Sequence, residues 1–399
     1  MNSNIQHLYN IAGKPQRTII GLMSGTSLDG LDIALCNISG SGIETKLELL
    51  QFDSIAYTNH FKKEVRSVFS KKEVNLEKLT LLNSWIALQH AGIINQCLRK
   101  WSINKDSVDL IASHGQSIYH APASLHKLRD FGNATLQIGD GDHLAVATGV
   151  ICISDFRQKN IAAGGEGAPL AGYGDYFLFR KQGEERVLLN IGGIANFTYL
   201  PGHEEGKMIC TDTGPGNCIM DAYMQEQFPG KFYDENAAVA NTGLVNIELL
   251  NELKSAAFFN INFPKTTGPE LFNLAYLQNA KMKTGTINLP VADTMATLNK
   301  FTADTIAAAI GICVKEKKGV KIFISGGGIH NPKLMDNLKI QLPGYIFNST
   351  ASTGINPDAK EAILFALLAN ECVAGNHLVF KNQAKQIIPV SMGKISFPY

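Results

Sequence analysis

Ser24-Gly25-Thr26-Ser27-Leu28-Asp29-Gly30 places two glycines, three hydroxyls and a carboxylate within seven residues. That set suits a phosphate bound together with a divalent cation. Glycines let the backbone approach a ligand and take φ > 0. The amides of such a turn can form an anion-binding nest. Asp29, with Asp32 just beyond Leu31, offers the hard oxygen atoms that Mg²⁺ prefers. No Gly-Lys-Ser/Thr follows, so this is not a Walker loop. The same residues also make an ordinary polar hairpin turn, and alone they leave both readings open.

Five further stretches carry chemistry. Asp212, in Thr211-Asp212-Thr213-Gly214-Pro215-Gly216-Asn217, follows the apolar run 208–210 and is placed at a strand end facing a cleft. It reads as a general base or as a turn residue before glycine. His114, in Ser113-His114-Gly115-Gln116, closes the apolar run 108–112 at the carboxyl end of a strand, a common place for ligand contacts. A hydrogen-bonded structural histidine fits it equally. Arg157, after Ser154-Asp155-Phe156, is a ligand contact or a surface ion-pair partner, and Glu361 is a ligand contact or a helix-dipole partner. Gly326-Gly327-Gly328 lies between a β-rich run and a helix start at Asn331-Pro332, a platform for a nucleotide. His120, His126 and His143 lack metal-ligand spacing, so no zinc site is expected. Cys218 reads as a structural thiol.

The elements that position these residues follow from apolar patterning. The runs 19–23 and 31–35 flank the polar turn as a β-hairpin, with a third strand over 47–57. Helices are expected over 60–69 and 76–101, the second with apolar residues at 3–4 spacing. Strands are expected near 134–139 and 150–153, around a helix at 142–148. A glycine-rich connector, 162–170, leads into a helix to 179. The pattern then restarts: runs at 187–190 and 197–200 flank Ile191-Gly192-Gly193-Ile194-Ala195-Asn196, a third run follows at 208–210, and then a helix. Hairpin, third strand and helix thus occur twice. A strand over 321–325 and a last helix over 356–372 complete the pattern. Residues 375–399 read as irregular structure or short strands. The boundary is placed at 163/164, giving domains 1–163 and 164–399, with the last helix packing back toward the first.

The chain has 399 residues, enough for two or three domain-sized units. Lys plus Arg (36) balances Asp plus Glu (35), so no basic field points to nucleic acid. Residues 1–17 are polar and no apolar run is long enough to span a bilayer, so neither secretion nor membrane insertion is expected. Seven dispersed cysteines without C-x-x-C suggest reduced thiols in the cytoplasm.

Taken together, GLMSGTSLDG, ASHGQ, SDFR followed by AAGGEGAPL, LNIGGIAN, DTGPGN, SGGG and the helix around Glu361 resemble the 1,6-anhydro-N-acetylmuramic acid kinases, in that family's order over 18–372. The resemblance implies an α/β protein of two RNase H-like domains of the sugar kinase/Hsp70/actin type, with an interdomain nucleotide cleft. It implies an ATP- and Mg²⁺-dependent kinase that opens the 1,6-anhydro ring with water, giving N-acetylmuramic acid 6-phosphate in cell-wall recycling. Asp212 would be the base. Gly25, Thr26, Ser27, Leu28, Asp29, Gly30, Leu31 and Asp32 would hold the ATP phosphates, with Asp29 on the metal. Gly193, Gly326 and Gly327 would lie on the nucleotide side, and Arg157, Glu361 and His114 on the sugar. The connector 162–167 would act as a hinge, and a homodimer is implied. Two departures bear on specificity: Glu166 replaces the usual Gln, and Pro269 replaces Arg in Lys265-Thr266-Thr267-Gly268-Pro269-Glu270. An actin- or Hsp70-like ATPase and a silent sugar-sensing relative are the competing readings.

Overall fold

The computed structural model describes residues 1–167, 170–203, 208–315, 317, 319–354, 356, 358–375 and 391–399. Ala168 and Pro169 of the connector, Pro357 at the expected helix start, and 376–390 lie outside the described residues. The chain forms two compact units, Met1–Leu178 with Ile355–Tyr399, and Phe179–Gly354. The boundary expected at 163/164 lies earlier in the chain than this division.

In the first unit, β1 (Gln16–Ser24), β2 (Gly30–Ser39) and β3 (Lys46–Ala56) form an antiparallel meander. β4 (Leu110–Ala121) joins β1 in parallel, β5 (Ala134–Ile138) hangs on β4, and β6 (Cys152–Ser154) extends the sheet. The C-terminal strand Lys394–Ser396 pairs with β6. Both faces of β2 are buried, and its side chains divide with period two. Leu31, Ile33 and Leu35 pack with Leu82, Ile86 and Ile94 of helix Leu76–Lys100. Ala34, Cys36 and Ile38 pack with Ile363 and Ala366 of helix Lys360–Ala374. That helix lies so close to β1 that a Cβ on Gly21 would overlap the Ala362 carbonyl.

In the second unit, β7 (Arg186–Ile191), β8 (Ile194–Leu200) and β9 (Ile209–Pro215) form another antiparallel meander. β10 (Lys321–Ser325) adds to β7 in parallel, and β11 (Ile346–Ser349) adds to β10. Strand order is 3-2-1-4-6 in the first sheet and 9-8-7-10-11 in the second, with the same parallel and antiparallel pairings. The repeat visible as hairpin, strand and helix is therefore a repeat of whole-sheet topology. Helix Val291–Val314 serves two cores: Ala303, Ile306 and Ile310 cover the sheet, while Met295, Leu298 and Phe301 pack with helices Cys218–Gln227 and Ile247–Leu253.

Two expected strand ends are not ends. β4 runs on through Ser113-His114-Gly115-Gln116, and β9 runs past Asp212 to Pro215. Both continue through a β-bulge. Met23 alone stands opposite His114 and Gly115 between the Leu22/Ser113 and Ser24/Gln116 pairs. Thr213 is the extra residue between the Ala195/Gly214 and Asn196/Asp212 pairs. Bulges bend a strand and re-aim its side chains; positive φ at Gly115 and Gly214 permits each one. Helix Phe156–Ala162 and strand β11 were not anticipated. Among the described residues, no helix is long and apolar enough to cross a membrane.

Candidate active site

The turn between β1 and β2 is Gly25–Asp29. Leu28 takes φ 61° although its side chain is buried, so the fold imposes a left-handed residue where bulk disfavours it. Such local strain gathers at ligand-binding turns. The backbone N–H groups of Thr26, Ser27 and Asp29 donate to no acceptor among the described residues, while Leu28 N–H closes the turn onto Gly25 O at 3.3 Å. Thr26, Ser27 and the Asp29 side chain are exposed. Free amides, hydroxyls and one carboxylate therefore share this turn. Below it runs a buried chain: Ser24 Oγ donates to Gln116 Oε1 (2.5 Å) and accepts from Tyr57 Oη (2.7 Å), which meets His90 Nε2 (2.9 Å). Gln116 Nε2 in turn donates to Gly25 O at 3.4 Å. Gly30 and Leu31 belong to β2; Asp32 pairs with Met23 across the hairpin.

The first unit also gathers His114, Arg157 and Glu361. Arg157 Nε donates to His114 Nε2 at 2.9 Å, so Nδ1 carries the ring proton and donates to Gly115 O at 2.9 Å. Burial, and then the Arg157 charge, hold His114 neutral, its pKa pushed down to about 3. The ring packs on Phe365 at 4.8 Å. Arg157 Nη1 donates to Gly167 O at 2.7 Å, and Asn160 Oδ1, one turn further along, accepts Gly167 N–H at 2.9 Å. Glu361 is exposed at the start of its helix, yet the protein packed around its carboxyl raises its pKa, with the Asp32 charge adding and Arg157 and Lys360 opposing. Asp32 is raised by burial and by Asp358, against the Ser54 hydroxyl. The guanidinium thus has a neutral imidazole on one side and the Glu361 carboxylate nearby.

In the second unit, Asp212 is half-buried. Its Oδ2 accepts Thr267 N–H at 2.8 Å, and Oδ1 accepts no bond from the described residues. Burial raises its pKa; the Thr267 bond opposes, and Glu270 adds to the rise. Gly193 O accepts the N–H groups of Gly216 (2.9 Å) and Cys218 (3.1 Å), tying the β7–β8 turn to DTGPGN. Gly326, at φ 83°, has no room for a Cβ against Ile191 O. Gly327 borders a cavity of about 380 Å³ lined also by Asn217, Asp221, Tyr233, Glu235 and His330. Burial lifts the Asp221 carboxyl there to about 6. Among the described residues, no cluster of three His, Cys, Asp or Glu could hold a metal.

A family model, "Anhydro-N-acetylmuramic acid kinase", matches residues 17–384. The chain is 53% identical to the anhydro-N-acetylmuramic acid kinase of Pseudoalteromonas translucida and 52% identical to that of Pseudoalteromonas atlantica, covering 100% of each chain. It is 37% identical to the Caldanaerobacter subterraneus enzyme of that name, over 98% of this chain and 100% of that one. The chain belongs to the anhydro-N-acetylmuramic acid kinase family. Its structure is α/β in two units whose sheets share one strand order, in keeping with the duplicated two-domain fold that the seven motifs implied.

Within this family fold, sequence reasoning missed the groups that hold the site residues in place. Thr267 acts through a backbone N–H, which no side-chain type advertises. His90 and Tyr57 lie 33 residues apart in the chain and meet only when the helix packs on the sheet. Asp221 and Tyr233 sit in no motif; only the short distance from DTGPGN along helix Cys218–Gln227 pointed to Asp221.

Proposed function

We propose that the chain is an ATP-dependent kinase that opens the 1,6-anhydro ring of 1,6-anhydro-N-acetylmuramic acid with water and phosphorylates O6. The products are N-acetylmuramic acid 6-phosphate and ADP, made during cell-wall recycling. The observation that carries the reading is Asp212: a half-buried carboxylate with one oxygen fixed by Thr267 and the other open. Its raised pKa suits proton abstraction better than that of a solvated aspartate. Asp212 takes a proton from water, whose oxygen attacks C1. The C1–O6 bond breaks with its electron pair on O6, and O6 attacks the γ-phosphorus in line as ADP leaves. Arg157 and Glu361 hold the sugar. His114, neutral and buried, orients Arg157.

The Gly25–Asp32 hairpin binds the ATP phosphates through the free amides of Thr26, Ser27 and Asp29. A single exposed carboxylate, Asp29, fits Mg²⁺, which commonly keeps several waters and takes one or two carboxylates beside substrate phosphates. When bound, Mg²⁺ would neutralise charge on the phosphates. The cavity beside Gly327 takes the nucleoside, with Gly193 and Gly326 shaping its turns. All seven cysteines are free thiols, in keeping with a reducing cytoplasm where ATP is abundant.

The test is ADP release with Mg·ATP, with and without the anhydro sugar. Release should depend on the sugar and fall at least about 10²-fold in Asp212→Asn, the range for a lost general base. ADP release at the same rate without sugar would overturn the reading in favour of an ATPase.

A further inference from the structure

Lys265 is 6% exposed, and among the described residues no carboxylate pairs with it. A buried ammonium without an anion is costly unless its donors are met. Here Nζ donates to Phe258 O at 3.0 Å and Phe259 O at 3.3 Å, the late carbonyls of the turn Ala257–Asn260. It also lies 4.5 Å from the ring centroids of both Phe258 and Phe263, and 5.8 Å from that of Phe259. Carbonyls at a helix C-terminus attract cations, and ring faces add to that attraction. The lysine therefore pins the 258–263 segment to its own backbone.

That backbone holds β9 at Asp212. Lys265 O accepts Asp212 N–H at 2.9 Å, and Lys265 N–H donates to Thr211 Oγ1 at 3.0 Å. Thr211 Oγ1 lies 3.1 Å from both Lys265 O and Asp212 O. Two residues on, Thr267 N–H holds the Asp212 carboxylate. We infer that Lys265 is a positioning residue for Asp212: its caged ammonium fixes the 265–267 segment so that Thr267 N–H holds the carboxylate in one orientation. The inference rests on the reading of Asp212 as the base. A lysine, rather than a hydrophobe, is needed because an ammonium, with three donors and one charge, ties two carbonyls and the aromatic faces to one point.

The test compares wild type, Lys265→Met, Thr211→Val, Asp212→Asn and Lys281→Met by kcat, KM and the pH dependence of kcat. Methionine keeps the apolar stem and removes the donors. Lys265→Met should lower kcat at least about tenfold, as displaced reacting groups do, while KM for ATP changes less than about twofold. Freed from part of the Thr267 bond, Asp212 should move its acid limb up by about one pH unit. Thr211→Val, which cuts the same link without touching the cation, should shift the limb in the same direction and decides the matter if Lys265→Met does not fold. Lys281, equally buried but bonded to Thr294 and set against Tyr223, is the control for stability alone. Lys281→Met should lower Tm without moving the limb. If Asp212→Asn is inactive yet Lys265→Met and Thr211→Val keep the wild-type kcat and limb, the inference is wrong. If Asp212→Asn stays active, it is the reading of the base that falls.

Discussion

At the scale of single residues, the first unit's chemistry turns on a proton that His114 does not take. Its Nε2 must stay a bare acceptor for Arg157 Nε, and burial ensures that. His114→Phe would keep the stacking on Phe365 but leave the guanidinium one partner short. A hydrogen bond to a charged group is worth about 1.5–3 kcal/mol, so the sugar KM should rise by roughly tenfold or more while the ATP KM stays put. Equal losses for both substrates would refute the assignment. Asp212 gives a second prediction. A base must be ionised, and burial raises this carboxyl from its ordinary value of 3.8. Turnover should therefore fall, on acidification, along a limb lying above that value. A pH profile flat down to 4 would contradict it.

At the scale of elements, the two bulges explain which parts of the site were legible. The hairpin, both meanders and the long helix Leu76–Lys100 follow from apolar periodicity, which survives in sequence. At His114-Gly115 and Thr213-Gly214 glycine and polar residues interrupt that periodicity, so both strands read as ending where they bend and continue. Asp212 and His114 were thus singled out by type as candidates but placed at the wrong part of their strands. Arg157 was singled out as a candidate while its helix was not anticipated, because Phe156–Ala162 spans only seven residues and starts from a left-handed Asp155 rather than a side-chain cap. Asp155 is held instead by Lys394 of the C-terminal strand, at 2.5 Å, a contact 239 residues away in the chain. The contact of β1 with helix Lys360–Ala374 supports a further prediction. Gly21→Ala puts a methyl into the Ala362 carbonyl and should cost more than about 2 kcal/mol in urea unfolding. A change under 0.5 kcal/mol, the range of surface substitutions, would show that the helix does not pack that closely.

At the scale of the whole molecule, two sheets of the same order carry different chemistry on corresponding hairpins: hydroxyls and Asp29 on β1–β2, glycine carbonyls on β7–β8. Stability across the chain carries its own pH signature. His90 and His114 are buried neutral, their pKa values pushed from 6.5 to about 4 and about 3. The unfolded chain binds both protons below 6.5 and the folded chain does not, so stability falls as pH drops from 6.5 to about 4. The raised carboxyls of Asp32, Asp212 and Glu361 act in the opposite sense, so the histidine contribution is best read by difference. His90→Gln should be less stable than wild type at pH 7, and the gap should narrow by roughly 1–2 kcal/mol by pH 4.5. A gap independent of pH would mean that His90 is not held neutral.

The central claim is that one base drives two bond changes, with water adding at C1 before O6 takes the phosphate. The most direct measurement is to run the reaction with Mg·ATP and the anhydro sugar in H₂¹⁸O and weigh the phosphorylated sugar by mass spectrometry, with fragmentation to locate the label. The account predicts one ¹⁸O at C1, none in the phosphate, and no product with Asp212→Asn. Phosphorylated sugar without label at C1, under conditions where the product anomeric oxygen does not exchange, would contradict it.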